Sequence, residues 1–103
     1  MTFQVKANPT FDIGLTIVGQ GRKQKLNLVF RHRTQDERDT LWARLEKGEI
    51  DLIDVILDIT ESWDADVSLD RAGLKELRQQ QPGADDAILQ GYGNAIRVER
   101  EKN

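Results

Sequence analysis

Between Ile50 and Ser62 the chain carries Ile50, Leu52, Ile53, Val55, Ile56, Leu57 and Ile59, interrupted only by Asp51, Asp54, Asp58, Thr60 and Glu61. The four carboxylates recur at spacings of three, four and three residues. On a helix this places them on one narrow stripe and leaves the rest of the circumference apolar. A helix of that kind has to be covered on most sides. A chain of 103 residues offers little with which to cover it. The fold is therefore expected to wrap around this segment, with part of the surface covered by a second copy of the chain or by a client protein. The stacked acids repel one another unless arginine or lysine side chains reach them from elsewhere. They also define a candidate docking ridge for a basic partner. They are not a calcium loop, because the spacing is helical and no glycine turn intervenes.

The remaining sequence supplies covering elements of two kinds. Phe3 and Val5 alternate with polar neighbours, and Asn8-Pro9 breaks the run. Phe11, Ile13, Leu15 and Ile17 alternate in the same way, as do Leu26, Leu28 and Phe30, on either side of a polar glycine-bearing turn from Gly19 to Gln24. Period-2 runs joined by a short glycine loop predict an antiparallel hairpin, with one further strand from Phe3 and Val5. Thr34 with Glu37 forms a capping box for a first helix, whose apolar face is Leu41, Trp42 and Leu45 and whose stop is Gly48. The acidic helix follows. Ser68 caps a third, with Leu69, Leu74 and Leu77 inward, ended by Gln81-Pro82-Gly83. A fourth spans about Ala84 to Val98, with Ile88, Leu89, Tyr92, Ala95 and Ile96 as its stripe. The fold class is thus α+β: a small N-terminal antiparallel sheet, a hairpin plus one strand, followed by about four helices. It forms one domain over residues 1–103, β-rich over about 1–33, helical over about 34–98, with a polar frayed tail at 99–103.

Composition excludes several classes of function. With no cysteine there is no disulfide, thiol chemistry or cysteine-bound metal. With His32 as the single histidine, neither a hydrolase triad nor a two-histidine metal site is expected. It lies between Arg31 and Arg33 and reads as an exposed strand-end residue. No cofactor is expected, and catalysis is not. The net charge of −3 argues against nucleic acid as partner. Arg22, Lys23, Lys25, Arg31 and Arg33 make the hairpin locally basic, but no aromatic platform accompanies them. They balance the acidic stripe or protect sheet edges. No apolar run is long enough to span a bilayer, and the N-terminus lacks the pattern of a secretory signal.

The most distinctive segment is Trp63-Asp64-Ala65-Asp66-Val67, a large aromatic at a helix end followed by two aspartates leading into the next cap. Gly91 and Gly93 flank Tyr92 inside a helical pattern, where each costs about 1 kcal/mol relative to alanine. Close packing or a kink is their expected reason. The candidate partner-binding residues are accordingly Asp51, Asp54, Asp58, Glu61, Trp63, Asp64, Asp66 and Tyr92.

Several of these residues carry a family resemblance. Trp63-Asp64-Ala65-Asp66-Val67-Ser68 resembles the tryptophan–aspartate connector of phage tail assembly chaperones. Ala7-Asn8-Pro9-Thr10-Phe11 resembles the opening of that family, Phe30-Arg31-His32-Arg33-Thr34 with Glu37 its strand-to-helix junction, and Gln81-Pro82-Gly83 with Tyr92 its last helix and entry. One departure is Val67-Ser68-Leu69, where the family pattern carries proline and phenylalanine.

The resemblance implies a protein that binds the tape measure protein in the host bacterial cytoplasm. It keeps that client soluble until tube subunits polymerise around it, and is absent from the finished tail. It also implies a longer form made by ribosomal frameshifting, whose extension recruits the tail tube protein. If Glu101-Lys102-Asn103 is encoded GAA-AAA-AAC, the gene contains a slippery heptamer for such a shift. The alternative in a different class is a structural tail subunit, of the tube or of its completion, which purified particles would retain.

Overall fold

A computed structural model describes residues 1–100, and the three terminal residues, including the frameshift-coding idea attached to them, lie outside the described residues. Strand β1 (Thr10–Gly19) and strand β2 (Arg22–Arg31) form the expected hairpin, in register from Thr10 opposite Arg31 to Gly19 opposite Arg22. The turn is tighter than the polar stretch from Gly19 to Gln24 predicts. Only Gln20 and Gly21 lie outside the ladder, with φ of 52° and 74°. Two successive left-handed residues give the turn a twist that matches the flanking strands, and glycine meets that demand without strain.

Helix α1 (Gln35–Glu46) starts at the Thr34 and Glu37 capping box, with both reciprocal bonds present. It ends with Gly48 at φ 75°, where the Gly48 amide donates to the Leu45 carbonyl and the Glu49 amide to the Arg44 carbonyl. This is a Schellman closure. Leu41 is buried, but Trp42 is 38% exposed rather than inward. It is not one of the side chains packed on the core cluster.

The acidic segment departs most from expectation. Helix α2 is only Leu52–Ile59, capped by Asp51, and the chain then becomes strand β3 (Thr60–Trp63). β3 pairs antiparallel with β2, giving sheet order β1-β2-β3 with a register shift opposite Val29 and Phe30. The third strand therefore comes from the end of the presumed helix. Residues 1–9, including Phe3 and Val5, form no strand and are exposed.

Helix α3 (Arg71–Gln80) is capped by Asp70, whose carboxylate accepts from the Gly73 amide at 2.7 Å; Ser68, the expected cap, precedes it. Helix α4 (Ala84–Ile96) follows the Gln81-Pro82-Gly83 turn and stops before Val98. α2 lies at the centre, with Ile53, Val55, Ile56 and Ile59 buried against Leu26, Leu28 and Phe30 of the sheet and against Leu74 and Ile88 of the neighbouring helices. α4 crosses β1 closely at Gly91, where a Cβ would meet the Leu15 methyls at 2.6 Å and 2.9 Å. That contact accounts for one of the two glycines around Tyr92. Gly93 has nothing within 4 Å of such a Cβ.

Candidate functional site

The acidic row is engaged by arginines of the chain itself. Asp51 and Asp54 close a reciprocal capping box at the start of α2, and Arg71 from the first turn of α3 reaches both, at 2.8 and 3.0 Å to Asp51 and 2.8 Å to Asp54. These charge-assisted bonds, Arg71 first, hold the Asp51 carboxyl well below the usual carboxylate range. Arg33 donates to the Asp58 carboxylate at 2.8 Å and to the Asp58 carbonyl at 2.9 Å. Its own pKa is raised by that carboxylate. Arg31 donates to Glu61 at 2.9 Å and to the carbonyls of Leu57 and Asp58 at 3.1 and 3.0 Å. The last carbonyls of α2, which have no helical partner, are thus satisfied from the end of the hairpin. Arg31 and Arg33 carry out the balancing role read from the sequence. Glu61, on β3, and Asp51, at the cap, stand outside the helix that was expected to carry all four.

The tryptophan–aspartate connector is also internally bonded. The half-buried Trp63 donates from Nε1 to the Val67 carbonyl at 2.9 Å. Asp64 accepts from the Asn27 side chain at 2.7 Å and the Asn27 amide at 2.9 Å, while its own amide donates to the Asn27 carbonyl. The Asn27 side chain, then its amide, lower the Asp64 pKa. Asp66 is exposed. Tyr92 is 3% exposed. Its hydroxyl donates to the Arg31 carbonyl at 2.9 Å, and its ring meets Phe30 edge-on at 5.1 Å and stacks on Phe11 at 6.0 Å. Burial raises its pKa. Among the sequence candidates, Tyr92 is a core residue with no surface to offer a partner.

The open surface lies elsewhere. The tip of the hairpin overhangs the junction of α3 and α4, leaving two adjoining hollows of about 450 and 520 Å³ that share Ile17, Gln80, Gln81 and Ala84. Together they make a groove with an apolar floor of Ile17, Leu26, Val67, Leu77, Ala84 and Ala87. Arg22, Lys25, Asp64, Asp66 and Glu76 put charges of both signs on its rim. Two of the sequence candidates, Asp64 and Asp66, therefore belong to this rim. Its floor is assembled from residues far apart in the chain, and no local pattern marks them as a unit. Among the described residues no three or more histidine or acidic side chains are grouped to hold a metal ion. No helix among them is long and apolar enough to cross a membrane.

Comparison with protein families matches residues 1–103, the whole chain, to the family described as phage tail assembly chaperone. The chain belongs to that family. Comparisons with curated proteins and with solved structures each found no match.

Proposed function

We propose that this phage tail assembly chaperone binds the tape measure protein and keeps it soluble during tail assembly, by non-covalent binding in the host cytoplasm and without catalysis. The observation that carries this reading is the groove under the hairpin tip, in a chain whose family membership implies protein partners in tail assembly. A tape measure exposes amphipathic helices before the tube forms around it. Such a helix can lay its apolar face on Ile17, Leu26, Leu77 and Ala84, in the helix-in-groove mode. Rim charges of both signs would select its register. A frameshifted longer form would add a segment for the tail tube protein, leaving the groove to the client.

The test is co-expression with the tape measure protein. A client that is insoluble alone, and soluble and co-purifying with this chain, supports the reading. Unchanged solubility with nothing co-purifying removes the client assignment.

A further inference from the structure

The free edge of β1 and the exposed N-terminal arm fit each other. β1 is ten residues long and, among the described residues, has a neighbour on one side only. The His32 amide donates to the Pro9 carbonyl, so Pro9 faces β2. By the alternation of an antiparallel ladder, Phe11, Ile13, Leu15 and Ile17 also turn their backbone groups to β2, while Thr10, Asp12, Gly14, Thr16 and Val18 turn theirs to solvent. The inward side chains of Phe11, Ile13, Leu15 and Ile17 are only half-buried, because nothing flanks them beyond the edge. An edge of this length, unpaired and without proline, is a template for another strand.

The arm has the complementary pattern. Residues 1–9 form no strand, and Phe3 and Val5 are 85% and 88% exposed. Val5 to Pro9 border an open hollow of about 1020 Å³ together with Phe11, Ile96 and Val98, and every residue from 1 to 9 is exposed. The radius of gyration, 15.0 Å, exceeds the roughly 13 Å of a compact chain of this length.

We infer that a second copy of this chain pairs its arm with the free edge of β1, so that residues 2–16 of the two copies run antiparallel about a two-fold axis at Pro9. That register sets Lys6 opposite Asp12, a charge pair made twice by symmetry. It sets Gln4 opposite Gly14 and Thr2 opposite Thr16, all with backbone groups on the bonding side. It sets Phe3 opposite Leu15 and Val5 opposite Ile13 on the apolar face. One register satisfies charge, backbone direction and hydrophobic face together, and a slip of one residue breaks all three. The pairing is independent of the client assignment, which can fail in co-expression without affecting it.

Sedimentation of the purified full chain over a concentration series tests this. The wild-type chain sediments as a dimer. Phe3→Asp with Val5→Asp alters only exposed positions and yields a monomer with an unchanged circular dichroism spectrum. Thr16→Pro removes one outward amide and has the same effect. Lys6→Asp weakens the dimer on the order of tenfold, and Asp12→Lys in the same chain restores it. A chain that is monomeric at every concentration overturns the proposal. So does a dimer indifferent to the arm aspartates, or a charge reversal that is not rescued. Should Thr16→Pro unfold, the arm and charge variants decide alone.

Discussion

Arg71 closes a fork on Asp51, Nη1 to Oδ2 at 2.8 Å and Nη2 to Oδ1 at 3.0 Å, tying the first turn of α3 to the cap of α2. The carboxylate that starts one helix thus also fixes where the next begins. Its pKa is depressed in the fold. A group depressed on folding contributes stability above its unfolded value, near 3.9, and loses that contribution as pH falls through its folded value. Glu37 and Asp64, lowered chiefly by Thr34 and Asn27, act in the same direction. The thermal midpoint is therefore expected to fall with acidification below about pH 4. Asp51→Asn lowers the midpoint at neutral pH and flattens its acid limb, which a calorimetric pH series reads directly.

Thr60 sits where α2 turns into β3, and its hydroxyl is buried without a hydrogen-bond partner among the described residues. An unsatisfied buried hydroxyl costs on the order of 1–3 kcal/mol. Thr60→Val keeps the shape and removes that cost. Urea denaturation is expected to show a gain of up to about 1 kcal/mol. A loss would mean that the hydroxyl is bonded to water.

Two glycines separate in opposite directions. A Cβ on Gly73 would collide with the Ser68 carbonyl, a backbone atom that cannot swing aside, whereas one on Gly93 meets nothing within 4 Å. Gly73→Ala is expected to destabilise by about 1–3 kcal/mol as overpacking. Gly93→Ala is expected to stabilise by up to about 1 kcal/mol through helix propensity. Paired melting curves check both signs.

Tyr92 ties the last helix to the end of the hairpin through its bond to the Arg31 carbonyl. Tyr92→Phe removes one hydrogen bond and is expected to cost about 1 kcal/mol. Tyr92→Ala removes the ring that Phe11 and Phe30 pack on and is expected to cost about 3–5 kcal/mol. Neither change touches the groove, so client binding by the folded fraction is expected to persist.

Much of the fold was legible because its signals are local. The alternations Phe11–Ile17 and Leu26–Phe30, the Thr34 and Glu37 box, Gly48 and Pro82-Gly83 each state their structure within a few residues. β3 was hidden because the acidic spacing continues in helical period through Thr60 and Glu61, while pairing with β2 ends α2 after Ile59. Phe3 and Val5 show the alternation of a strand, but no strand among the described residues pairs with them. Ser68 and Asp70 are both good caps, and the close approach of Gly73 to Ser68 accompanies the choice of the latter. The site was less legible than the fold. The acids stood out in sequence, yet their partners Arg31, Arg33 and Arg71 lie on other elements, so the ion pairs that engage them have no local signature. The groove floor has no linear signature at all.

Hydrogen exchange on the purified complex with the tape measure protein shows where the client sits. Binding in the groove is expected to slow exchange of backbone amides over residues 16–22, 64–67 and 80–87 relative to the free chain, with the Asp51 cap region unchanged. Unchanged exchange in those three segments, in a complex that demonstrably forms, would contradict it.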